Sequence, residues 1–139
     1  MKIKLAELKT RHQSLCVLGN KKFPIKLSYA IGKNIMKLQS EVDDIEKARI
    51  NLLEQYAEKN EDGTCKKENG HYQLGDNKQA FADEYNEFLD AEQEIDIYTV
   101  PEEVVESMDD SRYDVLTVAE LIALEFMLEK PIEQVELEV

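Results

Sequence analysis

The chain has 139 residues, of which 42% are hydrophobic and 34% are charged, a balance too apolar for a disordered coil and too charged for a membrane span. For this length we expect one domain, residues 1–139, with about two-thirds of its surface buried. The formal net charge of −13 disfavours direct binding to nucleic acid, because neutralised phosphates supply most of the affinity of such complexes.

The first predicted elements are a short strand and a helix. Polar and apolar residues alternate from Lys2 to Leu5, which indicates a strand. From Leu5 the apolar residues recur in steps of three and four, which predicts a helix that runs to Leu18 and stops at Gly19 and Asn20.

A long amphipathic helix over about residues 24–59 gives the strongest periodic signal. Pro24 is tolerated in its first turn, and turn residues end it after residue 59. About 36 residues give a helix of roughly 54 Å, longer than a domain of this size is wide, so we expect it to protrude or to pair with another subunit. Its apolar stripe, the long-helix seam, consists of Leu27, Ile31, Ile35, Leu38, Val42, Ile45, Arg49, Leu52 and Tyr56.

Arg49 is the charged member of this seam. One interpretation is a side chain that packs its aliphatic stem and pairs its head with a nearby acid. The other is a device that sets register or partner choice between helices. We favour the first interpretation.

A hairpin and a helix follow the long helix. Residues 64–74 predict a small hairpin, with Asn69 and Gly70 as the two-residue turn. Asp76 is the expected N-cap of the next helix, and Gln79 holds the capping-box position in its first turn.

The last part of the chain predicts two strands and one more helix. Alternation over residues 94–100 indicates a strand, and residues 102–116 indicate an acidic loop or a loosely helical connector. Thr117 begins a helix that Pro131 ends, and residues 135–139 alternate again, as a final strand or a frayed end. Together the elements predict an α+β fold, in which one long amphipathic helix and shorter helices pack with a small, mostly antiparallel sheet.

The charges divide along the chain. Residues 1–37, the basic N-terminal part, hold nine Lys or Arg against one acid, whereas residues 76–139, the acidic C-terminal part, hold three bases against twenty acids. One interpretation is that the two parts fold beside each other and neutralise each other in part. The other is an exposed surface that repels nucleic acid or imitates its phosphate spacing. The candidate anionic face consists of Asp83, Glu84, Glu87, Asp90, Glu92, Glu94 and Asp96.

No motif in the sequence carries catalytic chemistry. His12 and His71 lie far apart, the five glycines form no phosphate-binding loop, and the anionic face lacks the histidines of a di-metal carboxylate site. Cys16 follows His12 at helical spacing, but nothing nearby resembles an oxyanion hole. We therefore predict no catalytic residues, no cofactor-binding residues and no metal site, and we expect Cys16 and Cys65 to be reduced thiols.

Several runs of the sequence carry a family resemblance. They are F-P-I-K-L-S-Y-A-I-G-K-N-I-M-K-L at residues 23–38, the E-D-G turn after the long helix, and L-T-V-A-E-L-I-A-L-E-F-M at residues 116–127. With Phe81 opening a helix ahead of an acidic alternating strand, the chain resembles a family of small proteins of uncharacterised function from phages and prophages of Gram-positive bacteria. The resemblance implies a phage-encoded accessory protein that acts in the bacterial cytoplasm or during virion assembly, and it offers no catalytic motif.

The long helical seam without catalytic motifs favours a function in binding. The first hypothesis is a non-catalytic phage accessory protein that binds and blocks a host protein, such as a component of a defence system. The alternative is a virion assembly or tail-module protein whose long helix forms a homo-oligomer or a chaperone-like clamp. Both predict a protein partner, with a homo-oligomer expected, and neither involves nucleic acid or a membrane. No signal-peptide pattern follows Met1, so we expect the protein in the host cytoplasm or on the virion.

Overall fold

In the computed structural model, which describes residues 1–106, 108 and 113–129, two helices form the frame of an α+β fold. A short link joins α1 (Leu5–Leu18) to α2 (Ile25–Tyr56), and the two helices pack against each other as antiparallel neighbours. Both present apolar side chains in steps of three and four, which places one stripe of each helix in the shared core. The fully buried leucines and isoleucines of the two helices are Leu8, Leu15, Leu18, Leu27, Ile31 and Leu38.

Short strands pair at three places around this frame. They are β1 (Lys2–Lys4), β2 (Lys67–Glu68), β3 (His71–Tyr72), β4 (Glu92–Glu94), β5 (Val100–Pro101) and β6 (Leu128–Glu129). β1 pairs with β4 and β2 with β3, both antiparallel, whereas β5 pairs with β6 in parallel. The predicted α+β class, with a long helix and mostly antiparallel pairing, is therefore confirmed, although the described strands form three separate pairs instead of one sheet.

Three shorter helices cover the frame. α3 (Lys78–Leu89) packs against α2 and reaches α1, α4 (Glu103–Glu106) forms one turn beside α2, and α5 (Val118–Leu124) packs against α1. After α5, a 3-10 turn places Met127 in the core, where it is fully buried. None of the helices among the described residues combines the length and the apolar content that a membrane crossing requires.

Predictions that rest on local turn and cap residues are confirmed at three places. α1 has the predicted bounds, and the N–H of Gly19 closes its end. Asn69 and Gly70 have φ angles of 52° and 81°, as the two-residue turn of the β2–β3 hairpin requires. Thr117 and Glu120 form the predicted capping box, in which each side chain accepts a bond from the other residue's backbone N–H.

α2 ends at Tyr56, short of the predicted end near residue 59. The residues that follow pair with the hairpin instead. The N–H of Glu58 donates to the carbonyl of Gln73, and Lys59 forms an antiparallel bridge with Cys65. These backbone bonds replace the ones that another helical turn would have provided.

The predicted N-cap at Asp76 is wrong. α3 begins at Lys78, after a single 3-10 turn, and no side chain caps it. The side-chain amide of Asn77 instead donates to the Tyr56 carbonyl, 3.0 Å away, and Gln79 bonds within its own helix. The start of α3 is therefore fixed by the end of α2 and not by the local capping pattern.

The predicted strand over residues 94–100 is also wrong, because only its two ends pair, in β4 and β5. Side chains of α2 bind the backbone between them. Asn34, which is fully buried, donates to the Tyr98 carbonyl at 2.9 Å and accepts from the Tyr98 N–H at 2.8 Å. Lys37 donates to the carbonyl of Asp96. A strand needs these backbone groups for its own ladder, so the segment stays irregular.

The helix predicted from Thr117 to Pro131 is shorter in the structure. α5 ends at Leu124, because the 3-10 turn and β6 follow it directly. Within the predicted connector 102–116, α4 forms one helical turn. Part of that connector and the predicted final strand at 135–139 lie outside the described residues.

Candidate binding surface

The first half of the long-helix seam belongs to the core. Leu27, Ile31 and Leu38 are fully buried, and Ile45 is buried as well. The other members are half-buried, and they are Ile35, Val42, Arg49, Leu52 and Tyr56. The first half of the seam therefore faces the rest of the chain, whereas a contact of its half-buried members with another subunit stays a prediction.

Arg49 pairs with an acid of its own helix. Its Nε lies 2.9 Å from Glu46 Oε2, and a second guanidinium nitrogen reaches the other carboxylate oxygen. These hydrogen bonds raise the pKa of Arg49 and lower the pKa of Glu46, against the opposing effect of partial burial. The pairing agrees with the first interpretation of Arg49, a packed stem with a paired head.

The structure divides the candidate anionic face into two groups. The first lies exposed along α3 and at its C-cap, and it consists of Asp83, Glu84, Glu87 and Asp90. In the second group, Glu92 and Glu94 face the two lysines of β1 across the strand pair. The carboxylate of Asp96, also in this group, lies 3.8 Å from the ammonium of Lys37. The α3 acids are therefore the part of the face that stands apart from these basic residues.

The basic N-terminal part lies beside the acidic C-terminal part. The Met1 ammonium is 2.8 Å from the Glu94 carboxylate, and the Lys21 ammonium is 2.6 Å from the Glu120 carboxylate. Chiefly through these hydrogen bonds, the pKa values of both carboxyl groups are lowered. The arrangement supports mutual neutralisation of the two parts over a single continuous anionic surface.

α2 carries a second apolar stripe that sequence reasoning missed. Ile25, Tyr29, Gly32 and Met36 recur in steps of four, three and four on the side of the helix opposite Leu27 and the other buried residues. We name these four residues the α2 outer face. The side chains of Ile25, Tyr29 and Met36 are 80%, 51% and 72% exposed. A search for a second apolar stripe at helical period would have found them.

A cleft of about 410 Å³ lies beside the α2 outer face, where α2 meets the segment that enters β5. Tyr29 and Tyr98 line it, with their ring centroids 5.5 Å apart in an edge-to-face contact. The Lys33 ammonium lies 5.5 Å from the centroid of the Tyr29 ring. Because buried Asn34 binds the backbone of Tyr98, this wall of the cleft is held in place.

A second apolar groove, of about 340 Å³, lies between α4 and α5. Its apolar lining consists of Val105, Leu121, Ile122 and Leu128. Its charged lining consists of Glu102, Glu106 and Glu125. The charge at this groove is therefore opposite to that at the α2 outer face, where the neighbouring charged residues are lysines.

Each cysteine has a polar neighbour, and both thiols are free. Cys16 Sγ lies 3.7 Å from His12 Nε2 on an exposed side of α1, as their helical spacing predicts. Lys59 Nζ lies 3.0 Å from Cys65 Sγ after the end of α2. In the part of the chain that the structure describes, no group of three or more His, Cys, Asp or Glu is placed to hold a metal ion.

Comparisons with protein-family models, with curated proteins and with solved structures find no match to this chain. The resemblance to small phage and prophage proteins, read from residues 23–38 and 116–127, therefore stays a prediction.

Proposed function

We propose that this protein is a non-catalytic accessory protein that acts by binding another polypeptide, and that the α2 outer face is its contact surface. The observation that carries the proposal is the exposure of Ile25, Tyr29 and Met36 along one side of a helix whose opposite side is buried. Single exposed apolar residues are ordinary on protein surfaces. An aligned set of them beside an apolar cleft is typical of interaction sites.

The first half of α2 is apolar on two opposite sides. A helix of this kind is usually buried on both, because a large apolar side chain left in water forgoes about 1.5–3 kcal/mol of transfer free energy. The core covers the inner side, whereas the outer side stays open within the described part of the chain. A bound polypeptide would bury the outer apolar side chains, as the core already buries the inner ones.

Two lysines lie beside the α2 outer face, and they indicate the chemistry of its partner. Lys26 lines the cleft, and Lys33 lies over the ring of Tyr29. A complementary surface presents apolar side chains with acidic residues at their edge. This recognition needs neither a cofactor nor a reacting group.

The biological setting of the proposal rests on the family resemblance. We place the protein in the cytoplasm of a phage-infected bacterium, where it binds a host protein, such as a component of a defence system, and inhibits it. In the alternative, a virion assembly or tail-module protein, the same face joins copies of the chain. The exposed acids of α3 favour an additional contact in the first setting, one whose affinity falls as ionic strength rises.

Photocrosslinking from position 29 tests the contact surface. The full chain, with a benzophenone amino acid in place of Tyr29, is irradiated in lysate of a Gram-positive host. A second protein with the same group in place of Glu84, exposed on α3, is the matched control. We expect a discrete adduct from position 29 that persists at high salt. Adducts from position 84 alone would move the contact to α3, and adducts from neither position would overturn the proposal.

A further inference from the structure

We infer that the polypeptide covering the α2 outer face is a second copy of this chain, packed antiparallel along α2. The inference rests on the proposed contact surface and, of the two settings proposed for it, takes the one in which the face joins copies of the chain. It is carried by the order of the charges along α2, by an exposed glycine within the apolar stripe, and by the common side of the helix on which they lie.

The exposed charges at the two ends of the apolar stripe of α2 have opposite signs. Lys26 lies in the first turn, whereas Asp43 and Asp44 follow the stripe, and all three are exposed. When two copies run antiparallel about the middle of the stripe, Lys26 of each copy lies along Asp43 and Asp44 of the other. A two-fold axis then repeats every favourable pair. A parallel pair would instead place like charges side by side, so the charge order selects the antiparallel arrangement.

No contact among the described residues requires a glycine at position 32. It lies inside α2 in helical conformation, and the space that a Cβ would fill has no other atom within 4 Å. Glycine at such a position lowers helix stability relative to alanine, which the open space would accommodate. Packing by a second helix would explain the glycine, because the absence of a side chain lets a large residue of the second copy approach the backbone.

A two-fold axis midway between Gly32 and Met36 accounts for both the order of the charges and the exposed glycine. It places Met36 of each copy over Gly32 of the other. Lys26 and Asp43 are nearly equidistant from this axis, about 13 Å on either side along the helix. Lys26 of one copy is then within side-chain reach of Asp43 of the other, at both ends of the contact.

The length of the contact sets the expected strength of the dimer. A contact that runs from Ile25 to Asp43 of each helix is about 27 Å long, which is at the small end of specific interfaces, since these bury about 1,200–2,000 Å² in total. We therefore expect reversible association, with a dimer fraction that rises through the micromolar concentration range. The charge pairs set the orientation, and the apolar stripe supplies most of the affinity.

Charge reversal with complementation tests the inference on the purified full chain. Analytical ultracentrifugation over a concentration series compares the wild-type protein with Lys26→Glu and with the double variant Asp43→Lys, Asp44→Lys. Each variant keeps a good helix former, and an acid in the first turn suits the helix dipole, so both fold; far-UV circular dichroism checks this. The matched controls are Lys66→Glu in the hairpin and Asp90→Lys at the end of α3, both exposed.

We expect each charge reversal to weaken self-association at least tenfold, and an equimolar mixture of the two reversed proteins to restore a 1:1 dimer. The controls should stay within twofold of the wild type. A wild-type monomer at every concentration, or a dimer that ignores the reversals, would overturn the inference. In that case a position-29 adduct with a different protein would still support the proposed function, whereas the absence of any adduct would remove both.

Discussion

Asn34 is the side chain on which the irregular segment before β5 depends, and replacing it with alanine tests that role. Asn34 is fully buried and makes two hydrogen bonds to the backbone of Tyr98. Each such bond contributes about 1 kcal/mol net, and a buried backbone group left unpaired costs about 1–3 kcal/mol. The backbone of Tyr98 is only partly buried, so water replaces some of the loss. We expect Asn34→Ala to lower the free energy of unfolding by about 2–3 kcal/mol.

Urea titration at pH 7 measures this change, and Asn51→Ala is the matched control. Asn51 lies on the same helix but is exposed, so its replacement should change the free energy of unfolding by less than about 0.5 kcal/mol. Hydrogen exchange gives a local readout, because the Tyr98 N–H should lose its protection in Asn34→Ala and keep it in Asn51→Ala. Equal stabilities for the two variants would refute the reasoning.

Asn34→Asp gives the same site a dependence on pH. Burial raises the pKa of a carboxyl group at this position, and the Tyr98 carbonyl accepts a hydrogen bond only from its protonated form. Because the pKa is raised in the folded state, the buried carboxylate does not destabilise the variant below the ordinary pKa of about 4. The destabilisation grows as the pH rises above that value. The stability gap to wild type should therefore be wider at pH 7 than at pH 4. A gap independent of pH would contradict the buried, bonded position of this side chain.

Three further substitutions test the core, an ion pair and a thiol. Leu38→Ala should lower the free energy of unfolding by about 2–5 kcal/mol, because Leu38 is fully buried, whereas Val17→Ala on the exposed side of α1 should change it by less than about 0.5 kcal/mol. The Lys21 hydrogen bond lowers the pKa of Glu120, so its contribution is present above the ordinary pKa of 4.5 and lost as the pH falls. Glu120→Gln should therefore be less stable than wild type at pH 7 and equal to it near pH 3 in urea titrations; the same deficit at both pH values would contradict the pairing. Cys16→Ser should leave the unfolding curve and the mass in ultracentrifugation unchanged. A shifted curve or a changed mass would show that the contact between Cys16 and His12 contributes to stability or to association.

Sequence reasoning succeeded where neighbouring residues decide the structure. The bounds of α1, the Asn69-Gly70 turn and the capping box at Thr117 each depend on residues a few positions apart. Their cause is local hydrogen bonding and backbone geometry, which hold in almost any tertiary setting. For the same reason they say little about function.

Sequence reasoning failed where a distant residue takes over a backbone group. The alternation over residues 94–100 is a sound strand pattern, yet Asn34, in α2, holds the backbone of Tyr98. The cap predicted at Asp76 does not form for the same reason, because the side chain of Asn77 donates a hydrogen bond to the carbonyl at the end of α2. Nothing within a window of residues around either element contains that information.

The candidate site was missed for a different reason. Periodicity finds apolar stripes on a helix, but it does not say which stripe the chain itself covers. The first half of α2 has two stripes, and the leucines of α1 bury the one that contains Leu27 and Leu38. Identifying the exposed stripe, with Ile25 and Met36, required knowing where α1 lies.

The position of α3 keeps the two proposed interaction surfaces independent of each other. α3 packs against the seam side of α2, where burial raises the pKa of Tyr85 and the nearby charges of Arg49 and Glu46 act on it in opposite directions. The α2 outer face lies on the opposite side of that helix, so a dimer formed there leaves the exposed acids of α3 open to solvent. A second, anionic contact can then act on another protein without dissociating the pair. Neutralising Asp83 and Glu87 should consequently abolish any salt-sensitive crosslink from position 84 while the mass in solution stays that of the wild type.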